Sequence, residues 1–343
     1  MTPEASHQAS SSPVSKVKGG VGIIAIGSYV PEKVLTNHDL EKMVETSDEW
    51  IVTRTGIKER RIAAPEQTTS DIATIAAQRA LAKANMTAAE IELIIVATIS
   101  GDVPLPSTAC YVQQKLGAKH AFAFDISAAC TGFIYALSIA KRFISTGMVK
   151  NALVIGAEEL SRFTDWTDRN TCVIFGDGAG AVILKPVSEE KGLLTEYLGS
   201  DGNAAELIYI PAGGATRPIT IEAIEQRQQF IKMKGNEVFK FAVLAMGKAI
   251  KHALADAHIH SEQVSLMIPH QANTRIIQAS AERFNIPMDK VYINIDKYGN
   301  TSSASIPIAL DEAVQAGKIK ENDIIVLVAF GAGLTWGSCV MRW

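Results

Sequence analysis

The sequence alternates between buried-strand patterns and amphipathic helical patterns, and this alternation constrains the fold more than any other feature. The predicted strands of the first half are the apolar runs 22–27, 92–99, 121–126 and 151–157. Helical periodicity predicts helices between them at 70–85 and 131–147. Strands that are apolar along their whole length are covered on both faces, so this order is typical of an α/β protein with helices on each side of a sheet. The segment 171–185 predicts two strands joined by a Gly-rich turn.

The second half of the chain repeats this order of elements. Its predicted helices are 239–257, 275–284 and 303–317, and its predicted strands are 264–270, 291–296 and 323–331. A shift of 170 positions aligns identical residues of the two halves, namely Thr131 with Thr301, Gly147 with Gly317 and Lys150 with Lys320. We therefore expect an internal duplication. The same shift pairs Cys130 with Asn300, which predicts that both residues begin helices meeting near the centre of the molecule.

Length and composition set the expected domain organisation. The 343 residues, 47% of them apolar, suffice for two α/β halves. Residues 1–18 are polar and Ser-rich, without the apolar centre of a signal peptide, and they predict a disordered tail. We expect the boundary between the halves 19–190 and 191–343 in the stretch 186–234, where Gly, Pro and charged residues follow no clear period.

Charge and cysteine usage exclude several classes of function. The 33 basic and 36 acidic residues give a net charge of −3, which argues against nucleic acid and membrane surfaces as partners. No apolar run reaches the roughly 18 residues of a membrane-spanning helix. The four cysteines show no CxxC spacing, and His258 and His260 have no third partner, so we expect no metal site. Scattered cysteines indicate a cytoplasmic protein with reduced thiols.

Cys130 is the strongest candidate for chemistry, because it follows a predicted strand and stands at the start of a predicted helix. The small residues around it are Ser127, Ala128, Ala129 and Gly132. They let the backbone turn sharply and a substrate come close. The positive end of the helix dipole favours a thiolate. The alternative is a small buried hydrophobic residue, which is the commonest state of a free cysteine.

Two polar residues of the second half could act with Cys130. His270 ends the predicted strand 264–270, at the carboxyl edge where α/β sheets present functional groups; otherwise it is a capping or surface histidine. Asn273 could cap the helix that follows. Asn300 either caps the next helix or aims its amide into a pocket, and the duplication favours the second role. A Cys, a His and an Asn fit two classes of enzyme. One is a cysteine hydrolase, in which the histidine is the base, and the other is a condensing enzyme.

The Gly-rich stretches 176–180 and 329–338 do not have the spacing of a dinucleotide or P-loop fingerprint. No helical pattern follows the second stretch, so a nucleotide-binding fold is excluded. The stretch 329–338 predicts instead a hairpin turn, whose backbone N–H groups could bind an oxyanion.

Seven stretches of the chain closely resemble β-ketoacyl-[acyl-carrier-protein] synthase III, a family of the thiolase-like superfamily. They are ETSDEWIVTRTGIKERR (45–61), DISAACTGFIYAL (125–137), IFGDGAGAV (174–182), GNEVFKFAV (235–243), PHQANTRII (269–277), GNTSSASIPIALDEA (299–313) and FGAGLTWGS (330–338). The resemblance covers residues 20–343, with the motifs in the order of the family. It implies a five-layered αβαβα sandwich of two duplicated halves, and a homodimer.

The resemblance also implies a reaction, the decarboxylative Claisen condensation of a short acyl-CoA, usually acetyl-CoA, with malonyl-[acyl-carrier protein]. No cofactor is expected, since acyl-CoA is a substrate. Cys130 would be the acylated nucleophile, and His270 and Asn300 would bind the malonyl thioester oxygen. The backbone N–H groups of Cys130 and Ala332 would hold the oxyanion of the condensation step.

Substrate-binding positions follow from the same motifs. Trp50 and Arg169 resemble the pair that sandwiches the CoA adenine, and Arg54 resembles the residue at its phosphates. The expected walls of the pantetheine tunnel are Met233, Asn236, Phe239 and Asn273.

The resemblance further implies a carrier-docking patch and an acyl pocket. Lys240 and Arg275 match the family's basic patch for the acidic carrier protein, and Lys248 and Lys251 are further candidates. Many relatives have two basic residues where this chain has Glu282 and Arg283. Leu105 stands where many relatives have an aromatic residue that closes the acyl pocket across the dimer. The smaller side chain predicts that longer or branched primers are accepted.

Three other functions remain open. The first is a condensing enzyme of secondary metabolism with a different primer. The second is a Cys-His-Asn thioester hydrolase, which has no need of Trp50, Arg54 and Arg169. The third is a non-catalytic carrier-binding subunit, and such subunits usually lack the nucleophile.

Overall fold

Two β-sheets organise residues 19–343, which are the residues that the computed structural model describes; the predicted tail 1–18 lies outside them. The strands are β1 Gly20–Tyr29, β2 Lys33–Thr36, β3 Glu59–Ile62, β4 Leu93–Ala97, β5 Phe122–Ile126, β6 Ala152–Glu159, β7 Asp177–Val187, β8 Gly192–Ser200, β9 Ile208–Tyr209, β10 Lys232–Met233, β11 Leu266–Pro269, β12 Ile324–Gly331 and β13 Thr335–Arg342. The α-helices are α1 Asn37–Leu40, α2 Asp48–Thr55, α3 Thr69–Ala84, α4 Thr108–Leu116, α5 Gly132–Ser145, α6 Ile221–Glu225, α7 Gly235–Asp256, α8 Thr274–Arg283, α9 Ile295–Tyr298 and α10 Ser305–Gln315.

The two sheets have the same strand order and the same directions. The first sheet runs β1-β7-β6-β4-β5, with β6, β4 and β5 parallel and β7 antiparallel to both its neighbours. The second runs β8-β13-β12-β11, with β11 and β12 parallel and β13 antiparallel to both its neighbours. A parallel bridge between Met267 and Val291 stands where β5 stands in the first sheet. This correspondence agrees with the internal duplication that the sequence predicts.

The layers follow from the alternation of side chains along each strand. On β4, Leu93, Ile95 and Ala97 pack with the central helices α5 and α10, whereas Ile94 and Val96 pack with α3 and α4 on the outside. The second sheet divides its side chains in the same way between the central helices and the outer pair α7 and α8. The result is an αβαβα sandwich, so the predicted fold class is confirmed.

The two halves match at their helix starts with an offset of 173 positions, not 170. α5 begins at Gly132 and α10 at Ser305, and each follows a short 3₁₀ turn. The non-glycine residues Ala129 (φ 45°) and Ser302 (φ 48°) take the same left-handed conformation before them. The expected pairing of Cys130 with Asn300 is therefore wrong, because the counterpart of Cys130 is Ser303. The offset of 170 holds only at the helix ends, since α5 has 14 residues and α10 has 11.

The segment 171–185 does not form two strands, and this prediction is wrong. Residues 177–187 form the single strand β7, while residues 171–174 form a turn. The glycines of β7 provide space for a close helix and do not make a turn. A Cβ atom at Gly180 would lie 2.6 Å from Pro307 Cβ, so a side chain there would displace α10 from the sheet.

The predicted strand 291–296 is also wrong. Only Val291 makes a bridge, and the chain then turns into the short helix α9, Ile295–Tyr298. The apolar residues Ile293 and Ile295 pack into a core cluster with α2, so burial and not sheet pairing explains the pattern.

The turn between β7 and β8, residues 188–191, contains the predicted boundary between the halves. Within residues 19–343, the helices are all too short or too polar to cross a lipid bilayer.

Candidate active site

Cys130 lies in a sharp turn between β5 and α5. Cys130 is the middle residue of the 3₁₀ turn Ala129–Thr131. The backbone of Cys130 lies close to the end of β12, since a Cβ atom added at Gly331 would lie only 2.8 Å from Cys130 N. Burial is the main cause of a thiol pKa that is raised to about 12; of the smaller causes, the neighbouring Ser302 hydroxyl lowers the pKa and Glu158 raises it. This direction is opposite to the thiolate that the position of Cys130 at a helix start predicts, because burial disfavours the charged form.

His270 follows β11 directly, as the sequence predicts, and it is almost completely buried. Its backbone N–H donates to Val328 O at 2.7 Å, and its Nδ1 pairs with Ser305 Oγ at 2.7 Å. Because Ser305 Oγ accepts from the Gln271 N–H, its own proton is available for His270 Nδ1. This arrangement favours the tautomer with the proton on Nε2. Burial lowers the pKa of His270 to about 3, so the ring is neutral near pH 7.

Asn300 is held by its carbonyl oxygen, which leaves the amide group as a donor. Its Oδ1 accepts from the Ser302 N–H at 2.8 Å, and its backbone N–H donates to Ile174 O at 2.9 Å. The capping role and the donor role, which the sequence presented as alternatives, are thus compatible in this geometry.

A cavity of about 900 Å³ is lined by Cys130, His270 and Asn300 together. The structure therefore joins three segments that are remote in the sequence. Other predicted positions that line this cavity are Arg54, Met233, Asn236, Phe239, Lys240, Asn273, Arg275 and Ala332. Apolar residues that also line it are Ile99, Leu160, Phe175, Ile208, Ile231 and Phe330.

Trp50 and Arg169 lie outside the cavity lining and contact each other. The Arg169 guanidinium carbon is 5.3 Å from the centroid of the Trp50 ring, and that of Arg54 is 4.8 Å away. A base that stacks between two planar groups requires these groups to be about 7 Å apart, which is twice the contact distance of about 3.5 Å. An adenine sandwich between Trp50 and Arg169 would therefore require Arg169 to move from the ring.

Asn273 connects two elements of the cavity wall. Its Oδ1 accepts from the Arg275 N–H and caps α8, and its Nδ2 donates to Arg54 O at 2.8 Å, at the end of α2. Both ends of the amide are thus used within the protein. The capping role agrees with the sequence prediction.

The predicted docking residues Lys240 and Arg275 are both exposed, and the Arg275 guanidinium lies 5.7 Å from the centroid of the Phe239 ring. Lys248 and Lys251 are exposed further along α7. Leu105 does not line the cavity of its own chain and is 86% exposed, which is unusual for a large apolar side chain.

Three polar residues near Cys130 were missed in the sequence. Ser305 pairs with His270, Ser302 lines the cavity together with Cys130, and the buried Glu158 accepts from Ser302 Oγ. Glu158 had a detectable signal, since it is a charged residue at the end of the apolar run 151–157.

Comparison with known proteins gives consistent matches. The model for 3-oxoacyl-[acyl-carrier-protein] synthase III matches residues 124–202, and that for its C-terminal part matches residues 254–343. The β-ketoacyl-[acyl-carrier-protein] synthase III of Caldanaerobacter subterraneus is 57% identical over 326 residues, which cover 95% of this chain and 98% of the relative. The chain belongs to the β-ketoacyl-[acyl-carrier-protein] synthase III family.

Solved structures agree with this synthase III assignment. The crystal structure of 3-oxoacyl-[acyl-carrier-protein] synthase III from Aquifex aeolicus is 52% identical with a TM-score of 0.88, and the match covers 94% of this chain and all of that one. The priming β-ketosynthase of the R1128 polyketide pathway has the same TM-score at 32% identity, and the match covers 96% of this chain and 97% of that one. The polyketide enzyme is thus as similar in fold but more distant in sequence.

Proposed function

We propose that this synthase III is an acyltransferase that condenses a short acyl-CoA, with acetyl-CoA as the first candidate, with malonyl-[acyl-carrier protein], and so starts fatty acid synthesis. One observation carries the proposal: in a chain of this family, Cys130, His270 and Asn300 line one cavity. The printed names of the synthase III relatives described above, which include the acyl-carrier protein, support a carrier-bound acceptor.

The first step is transfer of the acyl group to Cys130. The thiolate attacks the acyl-CoA carbonyl, the bond to the CoA sulfur breaks, and an acyl-enzyme remains. We assign the developing oxyanion to the backbone N–H groups of Cys130 and Ala332. The close approach of Gly331 to Cys130 supports this, because it brings the two backbone segments together.

The second step is decarboxylation of the malonyl thioester. Loss of CO2 leaves an enolate, and a neutral His270 with its proton on Nε2 can donate to the enolate oxygen together with the Asn300 amide. An imidazolium would protonate the enolate more readily, so the low pKa of His270 suits the reaction. The enolate carbon then attacks the acyl thioester and expels the Cys130 thiolate.

The two other Cys-dependent functions have less support. A hydrolase needs a histidine that accepts the thiol proton, and the buried His270 is a weak base. A polyketide priming enzyme shares the fold, but the chain is considerably more similar to synthase III.

Binding of the partners is the finer part of the proposal. Lys240 and Arg275 are exposed to solvent and also line the cavity. A carrier protein bound to these two residues could therefore deliver its pantetheine arm into the cavity. We propose a homodimer in which Leu105 of each protomer closes the acyl pocket of the other, since its exposed side chain lies outside its own cavity. The four cysteines are all free, which fits the reducing cytosol.

The test is mass spectrometry of the enzyme incubated with acetyl-CoA and then with malonyl-[acyl-carrier protein]. We expect a stable acetyl adduct on Cys130, its transfer to a β-ketoacyl product, and no adduct in Cys130→Ala. Rapid release of acetate without malonyl substrate would instead identify a hydrolase. A panel of C2 to C8 acyl-CoAs tests Leu105, and turnover of acetyl-CoA alone would contradict the expected wider primer range.

A further inference from the structure

A buried carboxyl group joins two segments of the cavity wall that come from different halves of the chain. Glu158 lies near the end of β6 and has none of its surface exposed. Among the described residues, no Lys, Arg or His forms an ion pair with it. A buried carboxyl group without a cation is costly, so its presence indicates a role that an apolar side chain could not fill.

The two oxygens of this carboxyl group bond to different segments. Oε2 accepts from Ser100 Oγ at 2.6 Å, from the Ile99 N–H at 3.1 Å and from Thr98 Oγ1 at 3.2 Å, in the loop that follows β4. Oε1 accepts from Ser302 Oγ at 3.0 Å, in the turn before α10. Glu158 therefore connects a loop of the first half with a turn of the second half, and Ile99 and Ser302 both line the cavity.

The Ser302 end of this connection orients the side chain of Asn300. The main chain of Asn300 is fixed separately, because its N–H donates to Ile174 O at 2.9 Å and its carbonyl oxygen accepts from the Gly176 N–H at 3.1 Å. The side-chain amide depends instead on the Ser302 N–H, which donates to Asn300 Oδ1 at 2.8 Å. In the part of the chain that the structure describes, this is the only hydrogen bond of the Asn300 side chain. A shift of the Ser302 N–H would therefore turn the amide and leave the Asn300 backbone in place.

Ser302 takes a backbone conformation that needs support from its neighbours. Its φ of 48° lies in the left-handed region, where a non-glycine residue is strained and persists only if the surrounding structure holds it. The bond from Ser302 Oγ to Glu158 gives this support from the other half of the chain. Burial raises the pKa of Glu158, and the anchor persists in either protonation state, because a hydroxyl can accept as well as donate.

We propose that Glu158 is a positioning residue which, through Ser302, fixes the direction in which the Asn300 amide donates. In the proposed function, this amide and His270 Nε2 donate to the same enolate oxygen, so a small rotation of the amide would weaken one of the two hydrogen bonds. The inference rests on the proposed condensation for its effect on rate, whereas the geometry that it describes belongs to the free enzyme.

The neighbouring Ser303 gives a matched control for Ser302. Ser303 Oγ lies 3.1 Å from the same carboxyl oxygen, but it also lies 2.8 Å from Ala97 O, which can only accept. The Ser303 backbone is held separately, because its carbonyl oxygen packs closely against Gly156. Removal of the Ser303 hydroxyl therefore leaves the Ser302 N–H and its anchor in place.

The test measures CO2 release by enzyme that already carries an acetyl group on Cys130, so that the rate of loading does not enter. Ser302→Ala removes the anchoring hydroxyl and keeps the backbone N–H, and Ala129 shows that an alanine of this chain adopts the same left-handed conformation. We expect CO2 release from malonyl-[acyl-carrier protein] to fall about tenfold, because the amide donor remains but its direction is no longer fixed. Ser303→Ala should release CO2 at close to the parent rate.

Substitutions of Glu158 test the carboxyl group itself. Glu158→Leu keeps a similar volume and removes both oxygens, so it should slow CO2 release at least as much as Ser302→Ala. Glu158→Gln should restore most of the rate, since its amide can still form a hydrogen bond with Ser302 Oγ. In the Asn300→Ala background, Ser302→Ala should cause little further loss, because both changes act on the same donor.

Nuclear magnetic resonance of the free enzyme tests the geometry without any condensation activity. The protein is labelled with nitrogen-15 asparagine, and the side-chain amide signals of Asn300 are identified by their absence in Asn300→Ala. We expect these signals to shift or broaden in Ser302→Ala and in Glu158→Leu, because the amide is no longer held in one direction. In Ser303→Ala they should keep the parent positions.

CO2 release at the parent rate in Ser302→Ala would overturn the positioning role, as would an equal loss in Ser303→Ala or a full additional loss in the Asn300→Ala background. If Glu158→Leu does not fold, the comparison of Ser302→Ala with Ser303→Ala decides the matter. Failure of the proposed function would be seen differently, since the parent itself would release no CO2 from malonyl-[acyl-carrier protein] while the Asn300 signals still responded to Ser302→Ala.

Discussion

At the scale of single residues, His270 and Asn300 are each fixed through one side-chain atom and present another side-chain atom to the cavity. His270 is fixed through Nδ1 by Ser305, and Asn300 is fixed through Oδ1 by the Ser302 N–H. These bonds leave the Nε2 and Nδ2 atoms as the donors at the cavity. Preorganised donors of this kind stabilise a developing oxyanion strongly, because they need no reorientation during the reaction.

The His270→Ala and Asn300→Ala variants should separate the two half-reactions. Both should still form the acyl-enzyme, whereas decarboxylation of malonyl-[acyl-carrier protein] should slow by about 100- to 1000-fold for each lost donor. Release of CO2 measures the second step, and the acyl adduct on Cys130 in the same variants is the control. Decarboxylation at the parent rate would contradict the role assigned to these residues.

The pH dependence of decarboxylation should lack a step from His270. Because burial lowers its pKa to about 3, the ring stays neutral as the pH falls from 8 to 5. An ordinary histidine, with a pKa near 6.5, would become charged in this range. Decarboxylation by the acylated enzyme should therefore be constant between pH 5.5 and 7.5 where the protein remains folded. A step near pH 6.5 that is absent in His270→Gln would show that the ring titrates normally.

At the scale of elements, the site depends on two close contacts. One joins β6 to the turn before α10, and the other joins β12 to the turn before α5. Gly156 on β6 faces the backbone of Ser303, and Gly331 at the end of β12 faces that of Cys130. Only a residue without a Cβ atom allows these approaches. Small residues in the motifs therefore set the distance between the proposed catalytic segments.

Gly156→Ala should destabilise the protein and disturb the site. The added Cβ would overlap the Ser303 carbonyl oxygen, which is backbone and cannot rotate away. We expect a loss of about 1–3 kcal/mol in the free energy of unfolding, measured by denaturant titration. Gly202→Ala is the control, since a Cβ there meets no atom within 4 Å. Equal stability of the two variants would disprove the packing argument.

The surface of α2 should bind the nucleotide part of CoA. Trp50 and Arg54 are one helical turn apart, and Arg169 comes from another segment to the same ring. Trp50→Ala should raise KM for acetyl-CoA several-fold and leave kcat close to that of the parent. Acetyl-pantetheine lacks the adenine and is the control substrate, for which the variant should match the parent. An equal effect on both substrates would exclude a role in adenine binding.

At the scale of the whole molecule, the exposed edge of the first sheet is the surface that fits the proposed dimer. β5 is the last strand of that sheet, and its Phe122 is 40% exposed beside Phe124 and Phe143. Edge strands with exposed aromatic residues favour pairing with another strand. A partner there would also bring a second chain towards the loop that carries Leu105, which precedes α4, because α4 packs against β5.

Phe122→Lys should weaken the dimer, because it sets a charge at the proposed contact on each protomer. Sedimentation velocity should find the parent as a dimer and the variant shifted towards monomer. Ile221→Lys is the control, since Ile221 is 77% exposed on α6 and should not affect association. A monomeric parent, or dissociation by the control alone, would reject this surface.

From local periodicity and from motifs that are contiguous in the chain, the sequence predicted most of the central strands and helices, the duplication and the family. It also predicted His270 at the end of a strand and Asn273 as a helix cap, both of which are local features. It failed where packing decides the conformation. The glycines of β7 resemble a turn but accommodate α10, and the apolar residues after Val291 enter a core cluster instead of a sheet.

Only the tertiary structure brought Cys130, His270 and Asn300 to one cavity and revealed what lies behind them. Glu158, Ser302 and Ser305 come from separate elements, and their contacts depend on how the two halves meet at the centre. The counterpart of Cys130 in the second half could not be found from the sequence. Because α5 is three residues longer than α10, the offset between the two halves differs between the start and the end of these helices. Spacing along the chain does not encode such contacts, because burial and hydrogen bonding are set by neighbours that are distant in the sequence.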